Sequence, residues 1–448
     1  MIYKLGDICE IYDGPHATPP ETLSGPIFLG IKNISEQCML DFTDIKYLSV
    51  DDYVKWTKRV TPQEDDIVFS YEATLNRYAL IPKGFYGCLG RRLAIARVKD
   101  RNVVNPHFLY HYFCSPGWNA FILANKVIGS TVLRVSVEDF PDYEVDLPDI
   151  SVQNAVAQVL DDVLCKRNNN NAICAELEAM AKLLYDYWFV QFDFPDENGK
   201  PYKSSSGKMV WNEDLKREIP EGWKVGTLHA ISKVVWGQCP DGKDILDKAI
   251  NREDVIEYCS GAGDMRNGFI VDCQAKTYIN TSRRIAHKDA VLLSVAGSIG
   301  ALCVTDHDIS LGRAAVAFEA NKSEHSMFIF NVLTMLSNQV QKLATGSIQK
   351  VINSDHVDSM QFAYDDIVLD LYGKHTHPLY ASLLNIAEEN QQLTSLRDFL
   401  LPMLMNGQVK VGAKGDLSPV AYPMDEIHDE YLAAAEPHKA YDDEKEGV

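Results

Sequence analysis

The chain has 448 residues, 46% apolar and 24% charged, which is ordinary for a globular protein and enough to bury several separate cores. Ten cysteines without a Cys-x-x-Cys pair, a start at Met1-Ile2-Tyr3-Lys4-Leu5 that is no secretion signal, and the lack of any apolar run of membrane-spanning length predict a cytoplasmic protein with free thiols and no membrane partner. A net charge of −20 excludes a uniformly basic nucleic-acid binder, so any phosphate contact has to come from local islands of positive charge.

Residues 1–150 form the first segment. It opens Tyr3-Lys4-Leu5-Gly6-Asp7-Ile8, carries a strand-like run Asp66-Ile67-Val68-Phe69-Ser70, and predicts a helix over 107–126. Between Arg77 and Arg134 nine Lys or Arg residues stand against one acid, Asp100, which makes a basic island. Residues 151–191 follow with apolar and polar positions at alternating steps of three and four: Val156, Val159, Val163, Lys166, Asn170, Ile173, Leu177, Met180, Leu184 and Tyr187. That spacing keeps one seam of a long helix against a partner helix. Leu160, Leu164, Leu183 and Trp188 lie beside the seam, and surplus apolar surface there predicts contact with other subunits. Residues 192–222 read as a polar connector marked by Asp196-Glu197-Asn198-Gly199 and Ser204-Ser205-Ser206-Gly207.

The next segment, 223–367, repeats the first. Trp223-Lys224-Val225-Gly226 answers the opening pattern, Ala290-Val291-Leu292-Leu293-Ser294 answers the strand, and Leu311-Gly312-Arg313 answers Leu89-Gly90-Arg91. Gly346-Ser347-Ile348 answers Gly129-Ser130-Thr131. One unit of about 220 residues is therefore used twice. A second seam, Leu379, Leu383, Ile386, Asn390, Leu393, Arg397, Leu400 and Leu404, places another long helix over 368–408. Pairing Asn170 with Asn390 in an antiparallel arrangement would fix the register and set Arg397 near Asp161 and Asp162. The tail, 409–448, is acidic and predicts a poorly ordered end. The fold class expected is α+β, with two tandem α/β globules joined by two antiparallel helices.

Motifs for chemistry are weak. Asn105-Pro106-His107-Phe108 resembles the turn with which amino-methyltransferases hold a base but lacks the second proline, Ser204-Ser205-Ser206-Gly207-Lys208 departs from a phosphate loop at Met209, and His375-Thr376-His377 lacks further metal ligands. The basic islands carry a better reading, because arginine forks match guanine edges while Lys, Ser and Thr suit phosphate oxygens. Arg77, Arg91, Arg92, Arg283, Arg284 and Arg313 are candidates for the first role. Lys126, Ser130, Thr131, Arg134, Lys342, Ser347, Gln349 and Lys350 are candidates for the second. Taken singly, each also fits a solvated surface charge.

The tandem units, the helices after them, and the connector from Tyr185-Asp186-Tyr187-Trp188-Phe189-Val190-Gln191-Phe192-Asp193-Phe194-Pro195 through Gly207-Lys208-Met209-Val210-Trp211 to Ile219-Pro220-Glu221-Gly222-Trp223 resemble the specificity (S) subunit of type I restriction-modification systems. The resemblance implies two target recognition domains related by a pseudo-twofold axis, each reading half of an asymmetric, split site in double-stranded DNA. It implies helices that space the half-sites and dock two methyltransferase (M) subunits, with restriction (R) subunits joining them for phage defence. S-adenosylmethionine, ATP and Mg would belong to those partners, leaving this chain non-catalytic and without a cofactor. A self-contained adenine methyltransferase with diverged motifs and a coiled-coil scaffold without a DNA role are the alternatives.

Overall fold

The computed structural model describes residues 1–15, 17–42, 44–127, 132–239, 245–246, 255–265, 269–271, 278–279, 284–343, 351–412 and 417–419. It has two compact units, one made of Met1–Leu164 with Leu396–Val448 and the other of Cys165–Ser395.

In the first unit the all-apolar run predicted as a strand is the strand Ile67–Ser70, whose four residues are all buried. It lies inside a four-stranded antiparallel sheet in the order Cys9–Asp13, Leu93–Val98, Ile67–Ser70, Tyr78–Leu80. A smaller sheet sets Thr22–Leu29 parallel to Gly87–Leu89, and Ile2–Lys4 pairs with Glu144–Asp146. The helix expected over 107–126 is two helices, Pro106–Cys114 and Pro116–Ala124. Ser115 ends the first and caps the second through Trp118 N, and Pro116 has no amide to continue the first ladder. Phe69, Tyr78, Phe108, Phe113, Trp118 and Phe140 form the aromatic centre of the core.

The second unit repeats this order with other side chains: Ser232–Trp236, Ala315–Ala320, Val291–Ser294, Leu302–Val304. Ile256–Cys259 runs parallel to Ile309–Leu311, and Lys224–Thr227 pairs with Gln361–Tyr364, as their counterparts do. The duplication reaches single main-chain bonds. Lys99 N donates to Ile8 O at 2.9 Å, and Asn321 N to Ile231 O at 2.9 Å. Asp65 and Asp289 stand at the same turn, both at φ 68°, and each donates its amide to the facing strand, at Ile81 O and Thr305 O.

Two glycine pairs fix one turn in each unit. A Cβ on Gly14 would lie 2.5 Å from Gly90 O, and one on Gly237 would lie 2.0 Å from Gly312 O. Main chain meets main chain at both places, so nothing flexible can give way. Gly14→Ala is expected to destabilise the first unit by about 1–3 kcal/mol, as overpacking does. Gly117→Ala, where a Cβ meets nothing within 4 Å, serves as the control in urea unfolding; equal losses for the two would remove the argument.

The first long helix, Ile150–Tyr185, continues as a π-helical turn over Asp186–Val190, and the second, Asp366–Met405, starts well before the seam predicted from Leu379. Asp365 caps it by accepting from Ile367 N and Val368 N, and the helix passes Pro378 without ending. In the second unit the helices run antiparallel: Lys166 pairs with Glu389, Arg167 donates to Thr394, and Tyr372 Oη donates to Ala181 O. Asn170 is 1% exposed and donates to Asn390 Oδ1 at 3.1 Å and Glu389 Oε2 at 2.7 Å, so the expected asparagine pair is present. In the first unit Leu160 shares a core with Leu400, Leu401 and Leu404. The expected Arg397 contact with Asp161 and Asp162 is corrected. Arg397 donates to Asp398 and to Gln37 O, because Asp161 is taken by His107 and His111 and Asp162 accepts from Gln158.

Candidate nucleic-acid interface

Three loops meet at one end of the central sheet in the first unit. The strand Ile67–Ser70 runs into the loop 71–77, the turn at Gly90-Arg91-Arg92 opens the strand Leu93–Val98, and a third segment, 132–135, returns beside them. Tyr71 is the hub. Its amide donates to Arg92 O at 3.1 Å and its carbonyl accepts from Val135 N at 2.9 Å. Ala73 N donates to Leu133 O, Val127 N donates to Arg134 O, and the main chains of Glu72 and Arg134 face each other in an isolated antiparallel β-bridge. The buried Ser70 hydroxyl donates to Thr74 O and pins the loop from inside.

The second unit builds the same node from different residues. Val295 replaces Tyr71: its amide donates to Ala314 O and its carbonyl accepts from Ile352 N, both at 2.9 Å. Ser294 replaces Ser70, its hydroxyl donating to Ser298 O at 2.8 Å. Gly297 and Gly300 take φ of 74° and 87° where the first unit has Ala73 at 70° and Asn76 at 59°. Side chains at positive φ are held against a local steric cost, which concentrates where the surrounding structure dictates the backbone. Here that place is the loop end in the first unit, with Arg92 at φ 73° beside it.

The node brings together Arg91, Arg92, Lys126 and Arg134 from the predicted set. Arg92 is half-buried and its Nε donates to Glu72 at 2.8 Å, while Arg91, Lys126 and Arg134 are exposed and show no ion pair among the described residues. Arg77 is drawn away, its Nη2 donating to Glu36 at 2.6 Å. In the second unit Arg313 is exposed in the turn, and exposed Arg284 lies next to it through Leu311 N, which donates to Arg284 O. Ser130, Thr131, Arg283, Ser347, Gln349 and Lys350 lie outside the described residues, as does the side chain of Lys342. The sequence places a polar turn after each of these strands but gives the loops 71–77 and 295–301 no part in the interface, although Gly297 and Gly300, three residues apart, were a signal for a tight polar loop.

The flanking residues set for subunit contact divide. Leu160 and Trp188 are buried in the chain's own cores, Leu164 is half-buried, and Leu183 is 68% exposed. The motifs weighed for catalysis have plain structural roles. Asn105 Oδ1 accepts from His107 N at 2.8 Å and Phe108 N at 3.1 Å, an N-cap with Pro106 in the first turn. Ser204 closes a turn on Asp193 through its amide and hydroxyl. His375 stacks edgewise on Trp188, and no cluster suited to a metal ion occurs among the described residues. No described helix is long and apolar enough to cross a membrane.

Comparison with known proteins agrees with this doubled construction. The model of the type I restriction modification DNA specificity domain matches residues 1–179 and again residues 220–363. The chain is 23% identical over 314 residues to the specificity subunit of the type I restriction enzyme MjaIX of Methanocaldococcus jannaschii, covering 68% of this chain and 69% of that one. It is 19% identical over 373 residues to the HindI specificity subunit of Haemophilus influenzae, covering 69% and 79%. A solved structure of the S subunit of a type I restriction-modification system from M. genitalium aligns at 16% identity with a TM-score of 0.48, over 90% of this chain and 95% of that one. Since the two family matches open at the starts of the two repeats and together take up well over half of the residues, the chain belongs to the type I restriction-modification DNA specificity family.

Proposed function

We propose that this chain is the subunit that gives a type I restriction-modification complex its DNA sequence specificity. Each globule reads one half of an asymmetric, split target in double-stranded DNA. The long helices serve as spacer and as docking ground for two M subunits, with Leu183 and the neighbouring exposed Ile173 and Met180 as the apolar contact on the first of them. Adenine methylation with S-adenosylmethionine, and restriction driven by ATP with Mg, belong to the M and R subunits. The observation that carries the reading is one backbone node built twice with unlike side chains: the same frame offers DNA two different chemical surfaces, which suits a target whose halves differ.

Within that reading the exposed bases Arg91, Lys126 and Arg134 in the first unit, and Arg284 and Arg313 in the second, make the DNA contacts. Arg77 and Arg92 act through the acids that hold them, and Ser130, Thr131, Arg283, Lys342, Ser347, Gln349 and Lys350 complete the proposed set. Mapping methylated adenines in the genome with and without the gene tests the function. The expected result is loss of methylation at a two-part motif with a fixed gap. A methylome that does not change, or one that loses only a continuous palindrome, overturns it.

A further inference from the structure

The two nodes correspond position by position, and one exposed cation is common to both. Main-chain bonds make Tyr71 equivalent to Val295, Arg92 to Ala314 and Gly90 to Gly312, since Gly90 N donates to Leu29 O at 2.7 Å and Gly312 N to Cys259 O at 2.9 Å. Arg91 and Arg313 therefore occupy the same place in the same turn. The other cations near this turn do not repeat. Arg77, already bonded to Glu36, corresponds to Ala301, because Ser70 N donates to Arg77 O and Ser294 N to Ala301 O. Arg92, bonded to Glu72, corresponds to Ala314, and the acid itself corresponds to Ala296: cation and anion are present together or missing together. What survives in both units, exposed and without an ion pair among the described residues, is the arginine after the buried glycine.

We infer that Arg91 and Arg313 are equivalent specificity-determining residues, each placing its guanidinium fork on a guanine edge in the major groove of the half-site its own globule reads. This rests on the DNA-specificity function proposed above and adds to it which residue reads and what it reads. A fork that takes O6 and N7 together needs a fixed backbone beneath it. Each turn has one, clamped by the glycine pair beneath it and by a main-chain bond from the adjoining loop. Lys126 and Arg134, exposed on the segments joined by the bond from Val127 N to Arg134 O in the same node, supply positive charge for the phosphates and leave the groove to the turn.

The test is a methylated-adenine map from cells whose own copy of the gene carries Arg91→Ala, Arg91→Lys, Arg313→Ala or no change. Arg91→Ala relaxes one G·C position in one half of the motif, with discrimination there falling roughly 5–150-fold, and leaves the other half intact. Arg313→Ala does the same in the opposite half. Arg91→Lys keeps the charge, loses the fork, and relaxes the same position as Arg91→Ala. Uniformly weaker methylation at an unchanged motif would mean phosphate contact and overturns the inference, as does relaxation of the same half by both alanine variants, or no change at all. A wild-type map without a split motif would instead sink the proposed function, so the two failures are told apart.

Discussion

Trp188→Ala is expected to destabilise the unit Cys165–Ser395 by about 3–5 kcal/mol, the cost of truncating a fully packed aromatic residue. Trp188 is 4% exposed and meets Tyr372 edge-to-face at 5.8 Å between ring centres. Phe189, the next residue of the π-helical turn, packs on Phe328 at 4.7 Å and on Tyr372 at 5.2 Å. Tyr372 in turn donates to Ala181 O and accepts from Asn331, so the cluster ties both long helices to the second globule. Removing the indole opens a cavity that rings held from several directions cannot close. The chain has more than one cooperative unit, so the readout is the midpoint of the transition that reports this unit rather than a single global value. Leu183→Ala, on the same helix but exposed, should stay within about 0.5 kcal/mol of wild type; a comparable loss there would show that Trp188 is not the keystone.

Asp161→Asn is expected to cost about 1–3 kcal/mol and to change the pH dependence of the first unit. His107 Nδ1 lies 2.7 Å and His111 Nε2 lies 2.8 Å from the two oxygens of this carboxylate, and Asp65 reaches His107 Nε2 at 3.2 Å. Burial works to raise the Asp161 carboxyl, yet the hydrogen bonds from both imidazoles outweigh it and bring it down to about 2. The hydrogen bond to Asp161 raises His107 against the effect of burial, with Asp65 adding to it. His111 goes the other way: burial lowers it despite its bond to the same carboxylate. The signs follow. Asp161 contributes stability above its unfolded value near 4 and loses it as pH falls toward about 2. His107 contributes fully below about 6.5 and loses its share as pH rises through its raised value. His111 contributes above about 6.5 and loses its share as pH falls through its lowered value. In Asp161→Asn the carboxylate and His107 contributions go, so the difference from wild type should be larger at pH 5 than at pH 9, and an NMR titration should show His107 moving down. A difference that does not vary with pH would dispose of this account.

Much of the fold could be read from the sequence because it is written locally. Heptad spacing marked both long helices, the Asn170–Asn390 pair followed from polar residues in apolar seams, and the repeat showed in short matched runs such as Leu89-Gly90-Arg91 and Leu311-Gly312-Arg313. The break inside the first globule's helix was less legible, since Ser115-Pro116 interrupts a largely apolar pattern, whereas the second long helix, expected over 368–408, runs Asp366–Met405. The charge of the first island was misjudged for a clear reason. Counting from Arg77 to Arg134 found one acid, but Glu36, Asp65, Asp66 and Glu72 come from outside that stretch to bind Arg77, Arg101, Arg97 and Arg92. Ion pairs between residues tens of positions apart leave no trace in a window of sequence, and here they take four of the nine cations, leaving Lys83, Arg91, Lys99, Lys126 and Arg134 without an ion pair among the described residues. Trp188 was set beside the seam by helical spacing and lies in the core because the helix widens into a π turn there, which turns the indole in among the buried residues of the second unit.

The turn at Gly90 and its twin at Gly312 share one main-chain frame, with amide-to-carbonyl hydrogen bonds at the same places and close backbone packing of Gly14 on Gly90 and of Gly237 on Gly312. The main-chain bonds of that frame are the same in both units although the side chains at 72, 77 and 92 differ from those at 296, 301 and 314. If Arg91 and Arg313 meet DNA as inferred, a lineage carrying this gene can rewrite the word it spells on DNA through codon changes at these two exposed positions, while the grammar of the molecule stays as inherited.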